Sequence, residues 1–189
     1  MRLWDTIRLH ASIGSDATKV LHKKIGKGKG LQSIEDQIRD TATRSAEKSF
    51  GGSLDRVAKK QIDEFVGKRM KFMKKAFRKL DNPRTDTSKQ RGDFIGDTET
   101  KTAEEFGKER GFFRRARQKK IAIFKRWKNN EDSCATCQEN ADEGPIPVGD
   151  EFPSGDLAPL AHPGCECELE YTDEDGNPID TNHEEEGEE

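Results

Sequence analysis

The most regular stretch of the chain runs from Leu54 to Leu80, where apolar residues fall at positions 54, 58, 62, 65, 66, 70, 73, 76, 77 and 80. Spacings of three and four are the period of an amphipathic helix. Ser53 stands where an N-cap would, and Asn82-Pro83 stops the pattern. At 1.5 Å per residue such a helix would be roughly 40 Å long. A thinner stripe precedes it: Leu31, Ile34, Ile38, Ala42, Ala46 and Phe50 predict a helix over 31–50, closed by "GGS". Further upstream, "SDATKVLHKKI" (15–25) fits a short helix capped by Ser15 or Asp16, and "GKGKG" (26–30) is a basic break.

Beyond the long helix the pattern weakens and then changes. "PRTDTSKQRGD" (83–93) reads as a polar loop and a domain boundary. A helix is expected after an N-cap at Asp97, with Ala103, Phe106 and Phe113 on one side and Gly107 and Gly111 weakening it. "KKIAIFKRW" (119–127) switches to period two, with Ile121, Ile123 and Trp127 alternating with Ala122, Phe124 and Arg126, the mark of a strand. "CECELEY" (165–171) alternates likewise, with Cys165, Cys167, Leu169 and Tyr171 on one face and three glutamates on the other. The class is therefore α+β: a mainly helical region over 1–93, a small β-containing module over 94–171 and a disordered acidic tail over 172–189.

Charge sharpens this division. Charged residues make up 38% of the 189 residues and the apolar set 30%, too little for a large core. All 34 Lys and Arg lie in 1–130, beside 17 Asp and Glu, whereas 131–189 holds 20 acids and no Lys or Arg. The front is thus strongly basic and the end strongly acidic. Lys59, Lys60, Lys68, Arg69, Lys71, Lys74, Lys75, Arg78 and Lys79 decorate the polar faces of the long helix. They are either contacts for DNA or an acidic partner, or a solvated face. The N-terminal stretch has no uninterrupted apolar run, and none elsewhere approaches membrane-spanning length. A chain made in a reducing cytoplasm is expected, with no membrane partner.

In that compartment four clustered cysteines point to metal ahead of disulfides. Cys134 and Cys137 form "CATC", and Cys165 and Cys167 close the segment after 27 residues rich in Gly, Pro and acids. Alternation aims both sulfurs of the second pair inward, and a C-x-x-C turn brings two more to the same point, a set that suits tetrahedral Zn2+ in a structural role. His162, held by the rigid His-Pro step, is a further candidate ligand. The segment between has few apolar anchors (Ile146, Val148, Phe152, Leu157), so a metal cross-link would hold what a core does not. A disulfide pair, inert core thiols and a redox C-x-x-C are the competing readings. Four thiolates leave no open position for water, which argues against a catalytic metal.

"FKRWKNNEDSCATCQENADEGPIPVGDEFPSGDLAPLAHPGCECELEY" resembles the C-terminal module of the phage Mu F-like head morphogenesis proteins, minor head proteins of tailed phages. The matching positions are Trp127, Asp132, Cys134, Cys137, Gly144, Phe152, Gly155, Pro159, His162, Pro163, Cys165 and Cys167, and "DTETKTAEEFGKERG" is similar to the helix that precedes them in the family. The likeness covers about residues 97–171. Glu143 stands where the family has Asp, and Glu166 where it has Arg, so this copy is more acidic. The resemblance implies a component of the virion or prohead, near the portal inside the head after assembly in the host cytoplasm. Its expected partners are the portal, major head or scaffold proteins and packaged double-stranded DNA, and it implies no catalysis. A free nucleic-acid-binding protein with a zinc ribbon is the alternative, and a metal-dependent hydrolase a weaker one. No Walker loop, G-x-S-x-G or H-E-x-x-H is present.

Overall fold

In the computed structural model, which describes residues 29–78, 86–159 and 165–179, the apolar stripes become three long helices. They are α1 (Lys29–Phe50), α2 (Arg56–Arg78) and α3 (Asp86–Lys119). Ile34, Ile38, Ala42 and Ala46 of α1 are fully buried, and they meet Ile62, Val66, Met70 and Met73 of α2 in one core with Ala103 of α3. The ring of Phe65 stacks on Phe106, centroids 4.1 Å apart, tying α2 to α3. The expected helix at 15–25 lies outside the described residues.

Several boundaries differ from the sequence expectation. Lys29 and Gly30 are already helical, so α1 starts inside the expected basic break. Asp55 caps α2 in place of Ser53, its Oδ1 accepting the Ala58 N–H at 2.8 Å. Residues 86–93 are helical and not loop, which puts position 93 and the expected cap Asp97 inside α3. Polar composition misleads there because the apolar stripe that marks a helix begins only at Phe94.

α1 and α3 approach very closely, and their small residues explain how. A Cβ on Gly107 would sit 2.4 Å from the Ala42 carbonyl oxygen, and one on Gly111 2.4 Å from that of Ala46. Ser45 Oγ donates to the Glu104 carbonyl across the same crossing at 2.7 Å. The two glycines that weaken α3 as an isolated helix are what lets it pack.

The remaining chain forms a small module at the end of α3. Lys120, with φ 53°, ends the helix, leaving Ile121 44% exposed and outside the strand expected to begin at 119. Strand β1 (Phe124–Lys128) is the centre of an antiparallel sheet ordered β2-β1-β3, with β2 at Ile146–Pro147 and β3 at Glu168–Thr172. Trp127 pairs with Leu169 and Lys125 with Tyr171. A short helix, α4 (Ala135–Asp142), which the Gly- and acid-rich composition hid, fills the link between β1 and β2. The stretch after β3 is folded as far as Ile179: Asp173 holds a turn by accepting the Asn177 N–H at 2.8 Å, and the Ile179 N–H bonds the Tyr171 carbonyl at 2.9 Å. That corrects the expectation of a tail disordered from 172. Among the described residues no helix is long and apolar enough to cross a membrane.

Candidate metal centre

Lys125 and Trp127 on the inward face of β1, and Ile123 just before it, are all buried. The Trp127 and Phe152 rings pack at an interplanar angle of 80°, centroids 5.1 Å apart, and together they form the floor on which the cysteines gather. Phe152 is held by a tight loop, its N–H bonded to the Asp156 carbonyl at 2.9 Å, with the Gly155 N–H bonded back to its own carbonyl at 2.7 Å. Ser154 in that loop is fixed by Asn140 of α4, whose Oδ1 accepts the Ser154 N–H at 3.0 Å.

Cys134 occupies the N-cap position of α4 in extended conformation, and Cys137 lies in the first helical turn. "CATC" is therefore a helix start and not a free turn. The spacing brings both residues to one end of a helix whose unpaired backbone N–H groups favour negative charge on sulfur. From the other side, Cys165 and Cys167 alternate inward on the chain entering β3, 5% and 4% exposed, with Glu166 outward between them. The Sγ atoms of Cys137, Cys165 and Cys167 lie within 4.8 Å of one another, and the Cys137–Cys165 pair is 3.5 Å apart. Cys134, partly buried, packs against the same cluster. Burial and hydrogen bonds to the other three thiols push the Cys137 thiol up, and burial pushes Cys165 up. Without a cation burial thus favours the protonated thiol at Cys137 and Cys165; a cation among the sulfurs reverses that preference.

The fit is good. Metal–sulfur bonds of about 2.3 Å in a tetrahedron place sulfurs about 3.8 Å apart, close to the spacing between Cys137 and Cys165. All four cysteines are free thiols. They cluster in a manner compatible with a metal site whose donors are soft and whose walls are Trp127 and Phe152. Asp132 is exposed in the preceding turn and is not part of the thiol group. Gly144 takes φ 80° in the turn leading to β2, a conformation glycine adopts without strain. His162 and Pro163 lie outside the described residues.

The expected contact residues on α2 divide. Lys59, Lys60, Lys68, Lys71, Lys74 and Lys75 are exposed, with Lys60 3.7 Å from Glu64. Arg78 ends the described part of α2 and Lys79 lies beyond it. Arg69 departs from this face: it turns inward and donates its Nε to the buried Glu99 at 2.7 Å.

The sequence reading missed a buried charged anchor. Glu109 of α3 and Lys125 of β1 are both fully buried, 3.2 Å apart. Glu109 also pairs with Arg110 and accepts the Gly149 N–H at 2.7 Å, while Lys125 donates to the Leu157 carbonyl at 2.7 Å. Burial pushes the Lys125 ammonium down, opposed by Glu109. One helical turn along, Phe112 stacks on Tyr171 with centroids 4.1 Å apart. The signal was present: period two over 123–127 places Lys125 between Ile123 and Trp127 on one face.

Comparison of the chain with protein-family models, curated proteins and solved structures gave no match.

Proposed function

We propose that the chain is a structural component of a tailed-phage head: a minor head protein near the portal, built as a zinc-stapled module on a basic helical body. The observation that carries this reading is the convergence of Trp127, Cys134, Cys137, Phe152, Cys165 and Cys167 in one cluster. They are six of the twelve positions on which the resemblance to the Mu F-like head morphogenesis proteins rests, drawn from four separate segments. Four thiolates around Zn2+ fill its coordination sphere and leave no place for a reacting water, so the role assigned is structural and non-enzymatic. The exposed lysines of α2 offer a sequence-blind, salt-sensitive surface to the portal, to head or scaffold proteins, or to packaged double-stranded DNA.

The decisive experiment is quantitative mass spectrometry of gradient-purified particles, filled and empty, beside the soluble fraction of the same lysate. Enrichment in particles at a few copies per portal is expected. Recovery from the soluble fraction alone would overturn the reading. The six exposed lysines of α2 also favour a second reading, a free nucleic-acid binder with a zinc ribbon. It predicts duplex binding at physiological salt by the soluble chain. Against it stands a module without Lys or Arg from 131 onward, an unsuitable surface for reading nucleic acid.

A further inference from the structure

One buried polar group in the thiol cluster has no partner. Trp127 is 1% exposed, and its Nε1–H meets no hydrogen-bond acceptor among the described residues. Buried N–H groups are almost always paired, because one left unpaired forfeits the bond it made with water. Lys125 and Asn140, buried in the same module, keep to that rule: Lys125 donates to the Leu157 carbonyl at 2.7 Å, and Asn140 Nδ2 to Ser154 Oγ at 2.9 Å.

The surroundings of the indole narrow what it can meet. Its cluster consists of Phe152, aliphatic side chains and the cysteines, so sulfur is the only side-chain acceptor there among the described residues. Trp127 pairs with Leu169 across the sheet, and Cys167 alternates onto the same face two positions earlier. Diagonal neighbours of this kind are roughly 7–8 Å apart, within reach of an aromatic side chain. Ser133 Oγ stands 3.9 Å from Cys167 Sγ, but it donates to the Asn130 carbonyl at 2.7 Å and does not serve that sulfur. A neutral thiol accepts weakly, whereas a metal-bound cysteine is a thiolate and accepts strongly.

We infer that the Trp127 indole N–H is a dedicated donor to the thiol site, hydrogen-bonding a sulfur of the cluster, Cys167 by register, when that sulfur holds a metal ion. The inference rests on the metal reading of the four cysteines and not on the phage-head role. Four thiolates around a divalent cation leave excess negative charge in a dry pocket, and an N–H aimed at sulfur offsets it. Trp127 is then a positioning residue: it orients one ligand and strengthens the metal's hold, which a phenylalanine of similar bulk would not do.

The test uses the full chain carrying Trp4→Phe, which leaves Trp127 as its sole tryptophan. Benzothienylalanine in place of Trp127 keeps the bicyclic shape and removes only the N–H. Competition with a chelator is expected to show Zn2+ bound about 10–100-fold more weakly by that variant, at unchanged stoichiometry. A second readout needs no substitution at 127. With a spin-active cadmium isotope bound, the indole proton should show nuclear coupling to the metal through the hydrogen bond, and lose it with a spinless isotope. An uncoupled indole proton overturns the inference, and if affinity has fallen as well, the ring acts through packing. Equal Zn2+ affinity in the two chains overturns the positioning role, and either result leaves the metal reading standing. A Trp4→Phe chain that takes up no Zn2+ overturns the metal reading and the inference with it.

Discussion

The helical body and the cysteine module solve the problem of burial in opposite ways. Between α1, α2 and α3 the buried residues are mostly Ile, Val, Met and Ala at helical spacing, and contact is secured by shape. In the module the strands are five residues or shorter, and the protected interior holds three aromatic rings (Trp127, Phe152 and Tyr171), thiols and a buried ion pair. A long amphipathic helix removes enough apolar surface from water to offset the entropy of ordering it. A turn-rich segment of similar length does not, and here specific polar and sulfur contacts take over. The body should therefore survive insults that the module does not.

Metal removal should expose that difference most strongly. A chelator strong enough to strip the thiol site, or Cys137→Ser, is expected to remove hydrogen-exchange protection from β1 and β3 while α1 keeps its own. Structural thiolate sites contribute about 10–16 kcal/mol of apparent binding free energy in small domains, more than a module this size can replace. Exchange followed by mass spectrometry, with metal content measured on the same samples, gives the answer. If Cys137→Ser retains protection and metal alike, the cysteines are not the staple.

The ion pair that fastens the module to α3 comes next in size. Glu109→Gln strands the Lys125 ammonium in the core and deprives Arg110 and the Gly149 N–H of their full partner. Breaking a buried pair from one side costs about 3–5 kcal/mol. Lys125→Met should cost less, because Glu109 keeps Arg110 and Gly149. The double variant should recover part of the Glu109→Gln loss, a coupling on the order of 0.5–3 kcal/mol. Chemical denaturation of the four proteins closes the cycle. A Glu109→Gln protein as stable as its parent would mean that the packing of Phe112 on Tyr171 alone joins the two regions.

How far the sequence could be read also follows this divide. The stripe from Leu54 to Met73 and that from Ile34 to Ala46 appear in the fold as the period predicts, since burial of one helix face writes itself into residue spacing. The inward pairing of Cys165 with Cys167 was legible for the same reason at period two. What escaped was set by tertiary contact. α4 has no apolar stripe; it is placed by Cys137 in the thiol cluster and by Asn140 gripping Ser154. The first two turns of α3 are polar, so composition read 86–93 as loop. Arg69 and Glu99 look like surface charges until two helices bring them together. The phage-head reading rests on motif residues, and no period or spacing supplies it.

The smallest predicted effects distinguish shape from propensity within the body. Gly111 faces the Ala46 carbonyl so closely that any Cβ there must push α1 and α3 apart. Gly67, exposed on α2, has nothing within 4 Å of the same position. Intrinsic helix preference treats the two alike and favours alanine by about 0.8–1 kcal/mol at each. Packing treats them differently, since overfilling a tight crossing costs about 1–3 kcal/mol. Gly67→Ala should therefore raise the denaturation midpoint and Gly111→Ala lower it, from the same chemical change on two helices of one core. If both rise together, the α1–α3 crossing yields cheaply, and shape is not what holds the body.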